Sequence, residues 1–254
     1  MPAFNVLTVL PGLFSGFISE GVIGRAISSG KIDLKIHNLR DFTTDKHRIV
    51  DDVPYGGGPG MVLKPEPIFR AYEKILKQRK KKPHVILTEP WGETFTQRKA
   101  VELSKKDNIL IICGRYEGVD ERVKSIVDEE ISIGDYVLTG GEIPAMVILD
   151  ATIRLIPKVL GSKDSLKADS FMDRGLMGYP NYTRAAEFKG MKVPEVLLSG
   201  NHQKIKEWRK LKSFEKTYRK NPKIIKRLIK EGKLSEKEKH LLEIALNNIR
   251  NKIK

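Results

Sequence analysis

The run Ile109-Leu110-Ile111-Ile112-Cys113, closed by Gly114, constrains this chain more than any other stretch. It is short, apolar at every position and bounded by a turn residue. A strand of that pattern must be covered on both faces, the condition of a parallel sheet flanked by helices. Val85-Ile86-Leu87 repeats it. Phe4-Asn5-Val6-Leu7-Thr8-Val9-Leu10 is a third β-rich run, halted by Pro11-Gly12, and Ile32 to His37 alternates with period two. Thr96 to Lys106 is long enough for a crossover helix. Strand and helix signals alternating across residues 1–160 predict an α/β fold with a mainly parallel sheet.

With 254 residues, the chain exceeds the usual single domain, and 40% apolar against 31% charged residues allows a real core. Charge divides it. Residues 201–254 hold 18 Lys and Arg against 6 Glu, which is +12 of the total +15. Two readings stand: a polyanionic partner, nucleic acid ahead of membrane, and a solvated helical surface. Gly161 to Ser170 has a linker's composition, with Leu166 its one large apolar residue. Beyond it the pattern turns helical. Asn221-Pro222 predicts an N-cap and first-turn proline. Ile224, Ile225, Leu228 and Ile229 form one stripe that Gly232 ends. Ser235 and Glu238 spell a capping box for a last helix carrying Leu241, Leu242, Ala245, Leu246, Ile249 and Ile253. Gln78 to Lys82 reads as a basic helix C-terminus.

Cys113, the single cysteine, excludes intrachain disulfides and Cys-cluster zinc sites, and it reads as a small core residue. Met1-Pro2-Ala3-Phe4-Asn5 lacks the flank and apolar core of a signal peptide. No run of ~18 apolar residues occurs, so the expected context is cytoplasmic without a membrane span. Three glycine-dense stretches, Tyr55 to Gly60, Gly114 to Gly118 and Thr139 to Glu142, match neither the dinucleotide fingerprint nor the phosphate loop. Gly114 nevertheless follows a buried strand, where open α/β sheets bind ligands. Thr88-Glu89-Pro90-Trp91-Gly92 reads as a turn after another strand. Together they predict a composite pocket; each alone reads as a tight turn.

Several segments resemble one family in order along nearly the whole chain. They are Asp51 to Met61, Cys113 to Arg122, Ser132 to Glu142, Arg154 to Pro157, Asp169-Ser170-Phe171, Tyr182-Thr183-Arg184 and Leu198 to His202. The chain is similar to the bacterial tRNA (guanine-N1)-methyltransferases acting at tRNA position 37, of the SPOUT superfamily. Ala185 stands where the family has Pro, and Glu89 and Trp91 where it commonly has a small polar residue and Gln. The resemblance implies an α/β, SPOUT-type parallel sheet with a deep trefoil knot, then a small all-helical C-terminal domain. The implied domains are 1–160 (knotted, binding S-adenosylmethionine), 161–172 (a linker carrying Asp169) and 173–254 (basic, helical, binding the tRNA anticodon stem-loop). A homodimer with active sites at the interface is also implied.

The implied reaction moves a methyl group from S-adenosylmethionine to guanine N1, which is a poor nucleophile until its proton leaves. It needs a base near N1 and a cation or donor near O6. By family position, Asp169 is the base, Arg154 steadies the purine, and Glu117 is a site carboxylate. Their plain alternatives are a turn or N-cap residue, a helix-end arginine and a loop charge. The implied cofactor pocket takes Leu87, Thr88, Pro90, Gly114, Tyr116, Gly118, Ser132, Ile133, Gly134, Asp135, Tyr136, Val137, Leu138, Gly140, Gly141 and Pro144, which serve turns and core equally well. The chemistry requires no metal, though the resemblance leaves room for Mg²⁺. Trp208, Phe214 and Tyr218 lie among lysines and arginines; stacking on splayed bases is one reading, core packing the favoured one. Two rival functions are another SPOUT enzyme acting on an rRNA base or a ribose, and a non-catalytic RNA-binding protein on the same scaffold.

Overall fold

The computed structural model describes residues 1–79, 81–161 and 169–251. The chain divides into two compact units, Met1–Gly161 and Ser162–Lys254. Asp164, Leu166 and Ile253 lie outside the described residues.

The first unit is built on a five-stranded sheet of β1 (Ala3–Thr8), β2 (Asp33–Asn38), β5 (His84–Thr94), β6 (Asn108–Cys113) and β7 (Glu129–Ser132), in the order β2-β1-β6-β5-β7. Every pairing is parallel. The doubly apolar run does what its pattern demands. Ile109, Ile111 and Cys113 of β6 enter one core with Phe4, Val6 and Ile86. Leu110 and Ile112 enter a second core on the opposite face with Leu7, Val85 and Leu87. Helices α2 (Gly21–Ser28) and α5 (Glu142–Ile153) close the first face through Ile23, Ala26, Ile148 and Leu149. Helix α3 (Pro65–Arg79) closes the second through Ile68, Ala71 and Ile75. Between β5 and β6, α4 (Gln97–Leu103) begins where the Thr96 hydroxyl accepts from the Lys99 N–H. A two-residue antiparallel pair, β3 (Asp51–Asp52) with β4 (Val62–Leu63), flanks the glycine-rich loop.

One expectation changes here. Thr88 to Gly92 is not a turn after a strand. Strand β5 runs on to Thr94 through a register shift between Thr88 and Glu93, because β7 offers both segments a pairing edge. The shift displaces Glu89 to Gly92 from regular pairing at the strand's carboxyl end.

The second unit packs α7 (His202–Lys220), α8 (Pro222–Lys230) and α9 (Glu236–Asn251) around Phe214, Ile225, Leu228, Leu242 and Ala245, preceded by α6 (Glu195–Leu198). It is not all-helical. Two-residue strands β8 (Glu187–Phe188) and β9 (Met191–Lys192) form an antiparallel pair, turned by Gly190 at φ +76°. Asn221 makes no side-chain cap for α8; its backbone N–H closes α7 on the Thr217 carbonyl at 2.7 Å, so one residue serves as the junction of both helices. Ile229, on the last turn of α8, is exposed rather than packed. Gly232 ends the helix at φ +60° as its position suggested.

The capping box forms: the Ser235 N–H donates to Glu238 Oε2 at 3.0 Å and the Glu238 N–H to Ser235 Oγ at 3.3 Å. Glu238 also receives Arg174 and, at 3.0 Å, Lys210. Burial pushes its carboxyl up, but the Arg174, Ser235 and Lys210 bonds outweigh that and hold it at about 2. A carboxyl depressed on folding contributes stability above its unfolded value of about 4.3, lost as pH falls towards the folded one. Glu238→Gln is therefore expected to lower the melting temperature at pH 7. The deficit should shrink between about pH 5 and pH 2, as followed by circular dichroism.

Candidate active site

Because β5, β6 and β7 are parallel, their carboxyl ends share one edge of the sheet, and a cleft of about 290 Å³ opens there. Its wall is assembled from Thr88, Glu89, Pro90 and Trp91 of β5, and from Gly114 to Gly118 after β6. Ile131 to Gly134 and Tyr136 to Leu138 follow from β7, then Thr139, Gly140, Gly141 and Pro144 at the start of α5.

Two of these loops touch without side chains between them. The Gly141 N–H donates to the Gly114 carbonyl at 2.8 Å, and Arg115 bridges to Gly140. A Cβ on Gly141 would overlap Thr88 Oγ1 and come within 2.9 Å of Cys113 Cα. Beside this contact, the Glu142 carboxylate is buried at 2% exposure. It accepts from Thr8 Oγ1 at 2.7 Å and faces the Arg115 guanidinium at 3.5 Å, so β1 and the loop after β6 are both tied to the N-terminus of α5. The third glycine-rich loop joins the same wall: the Glu117 N–H donates to the Met61 carbonyl at 3.0 Å, and a Cβ on Gly60 would meet Glu117 Oε1 at 2.5 Å. Tyr116 holds φ +61°, sparsely populated for a side chain of its size, at the cleft's rim.

The cleft gathers every residue expected for a cofactor pocket except two. Leu87 is buried in the core beneath it, and Asp135 is exposed on the loop beside it. Glu117 lines the cleft. Arg154 follows α5, its N–H bonded to the Asp150 carbonyl at 3.3 Å. Asp169 belongs to the second unit and lines a separate hollow of about 380 Å³ with Asp173, Tyr179, His202, Arg209 and Lys210. In that hollow the Arg209 guanidinium lies 4.8 Å from the Tyr179 ring centre. Of the three aromatics on α7, Phe214 is core and Tyr218 packs against it. Trp208 is half-buried, 6.4 Å from Tyr182 at a tilt of 54°.

Of the lining, Ile131 lies outside every stretch the sequence nominated, whereas Glu89, Trp91, Arg115 and Thr139 lie in nominated loops without having been assigned to the cofactor. Glu89 stands out chemically: burial, with Glu130 nearby, pushes its carboxyl up to about 7. The signal available was a carboxylate inside Thr-Glu-Pro-Trp-Gly directly after a buried strand. Among the described residues no group of three or more His, Cys, Asp and Glu is placed to hold a metal ion. No helix among them is long and apolar enough to cross a membrane.

The profile of a family described as tRNA (Guanine-1)-methyltransferase TrmD matches residues 2–227. A tRNA (guanine-N(1)-)-methyltransferase of Persephonella marina is 60% identical over 240 residues, covering 94% of this chain and 92% of its own length. The protein of the same name from Dictyoglomus turgidum is 50% identical over 253 residues and covers both chains fully. A crystal structure of the tRNA (m1G37) methyltransferase from Aquifex aeolicus superposes with a TM-score of 0.72 at 46% identity, over 92% of this chain and 99% of that one.

Gly141→Ala is expected to force the loop after β6 away from α5. Overpacking of that kind costs about 1–3 kcal/mol. Urea denaturation reads the loss, and Gly161→Ala, where an added Cβ meets nothing within 4 Å, should leave stability unchanged.

Proposed function

The chain belongs to the tRNA (guanine-1)-methyltransferase family and methylates N1 of guanine in tRNA, and from that premise we propose that its methyl donor is S-adenosylmethionine. The donor sits in the cleft at the carboxyl ends of β5, β6 and β7, and the guanosine methylated is the one at tRNA position 37, beside the anticodon. One observation carries the reading. Two of the segments that resemble the family, Cys113 to Arg122 and Ser132 to Glu142, line that cleft, and a third, Asp51 to Met61, packs on Glu117 in its wall. Its walls suit the donor: Pro90, Ile131, Val137, Leu138 and Pro144 are apolar, and backbone N–H and C=O groups supply the polar contacts an adenine needs. When bound, the donor supplies a methyl group already activated by a positive sulfur, so it requires placement rather than activation.

The remaining work falls to the chain. Asp169 accepts the N1 proton of the guanine. Arg154 donates towards O6, where negative charge gathers once that proton has gone. Glu117, in the cleft wall, faces the reacting groups. The parallel sheet and the likeness to the Aquifex aeolicus enzyme support a SPOUT-type fold. The deep trefoil knot and a homodimer with sites at the subunit interface belong to the same proposal. So do the divisions: 1–160 for the donor, 161–172 as the segment carrying Asp169, and 173–254 for tRNA. The concentrated charge of 201–254 supports this last assignment.

Incubation with labelled S-adenosylmethionine and tRNA, followed by nucleoside analysis, should give 1-methylguanosine at position 37; label in ribose or another base would refute the assignment. Asp169→Asn should keep the fold and donor affinity yet lose most single-turnover methylation, since an amide cannot take the proton. Near-normal turnover would remove Asp169 from the role of base. Arg154→Ala should slow the bound-state step by about 10²-fold, the usual worth of one donor at a developing oxyanion. Affinity for tRNA should fall steeply with salt, by roughly one counterion per phosphate contacted.

A further inference from the structure

Glu89 stands at the register shift of β5, 6% exposed, in the wall of the cleft. Its Oε1 faces the backbone of two glycines after β6, 3.5 Å from where a Cβ of Gly114 would lie and 3.6 Å from that of Gly118. No hydrogen bond or ion pair holds its carboxyl among the described residues. The charged groups around it are Glu130 on β7, Glu121 and Lys124 on the turn before β7, and Arg115 and Glu117 in the cleft. Both cations are already engaged. Lys124 bridges Glu121 at 3.1 Å and Glu130 at 3.5 Å, and Arg115 serves Glu142. Glu130 also accepts from the Trp91 indole at 3.1 Å. Glu89 is therefore a buried carboxyl with no cation in hydrogen-bond or ion-pair contact among the described residues; burial, with Glu130 nearby, outweighs the more distant Lys124 and pushes it up to about 7.

We propose that Glu89 is a specificity-determining residue that reads the positive charge on the sulfur of S-adenosylmethionine, a charge that the spent S-adenosylhomocysteine lacks. The inference rests on the donor site proposed above. In a cleft of about 290 Å³ a ligand charge is only a few ångströms from Glu89 and poorly screened. Donor binding makes the carboxyl give its proton to solvent and become the counter-ion of the sulfonium. Methyl transfer leaves a neutral thioether, the counter-ion loses its partner, and the carboxylate takes one proton back. Entry of the donor and departure of the product are thereby both favoured. The α-ammonium group is common to both ligands and cannot discriminate between them.

Calorimetric titration of the full chain with each ligand, in two buffers of different ionisation heat, counts the protons. Between about pH 6 and pH 8 the donor should release a fraction of a proton that is largest at the acid end, and the product should release clearly less. Glu89→Gln should abolish the difference and lower the donor-to-product affinity ratio by about tenfold or more. Equal proton release by both ligands, or an unchanged ratio in the variant, overturns the proposal. Should the variant fail to fold, the two wild-type proton counts decide alone. Failure of the wild-type chain to bind either ligand overturns the donor site itself, and this assignment with it.

Discussion

The cleft at the carboxyl ends of β5, β6 and β7 depends on one close contact, the backbone after β6 against the N-terminus of α5. At Gly141 a side chain would occupy the space of Thr88 and Cys113, so the loops meet only because none is there. The Glu142 carboxylate, buried next to it, would be costly alone. Thr8 and Arg115 satisfy it, and the same bonds fix β1, β6 and α5 relative to one another. The cleft walls are what these tied elements leave between them. The loop from Ser132 to Leu138 therefore does not need to be regular to face the loop from Gly114 to Gly118.

Charge is handled differently in the two units. At the cleft, the cations Arg115 and Lys124 are engaged with other carboxylates, and burial pushes the Glu89 carboxyl up to about 7. In the second unit, cations are abundant. Only a few, such as Arg174 and Lys210, are spent on holding Asp173 and Glu238. Among the described residues of 201–254, Lys204, Lys206, Arg209 and Lys216 are exposed. Arg209, which lies over Tyr179 in the Asp169 hollow, is part of both the charge excess and that hollow.

By itself the sequence determined the sheet and its two-sided burial, because an unbroken apolar run at strand length leaves no other stable arrangement. It determined the capping box at Ser235 and Glu238 and the stop at Gly232, since those signals act over three or four residues. It also nominated the pocket's glycine loops, by their place after buried strands and then by motif resemblance. What only the tertiary structure decided lies at longer range. That β5 continues past Thr88 depends on β7 offering an edge some forty residues later in the chain. That β8 and β9 pair in a unit otherwise helical depends on a turn at Gly190 with no apolar pattern to announce it. That Asn221 closes α7 with its N–H while standing, without a side-chain bond, at the N-cap of α8 depends on where α7 ends. That Leu87 packs beneath the pocket and Glu89 lines it depends on the register shift that begins after Thr88. Local signals specify local bonds, whereas burial of a carboxyl without a counter-charge is a property of everything packed around it.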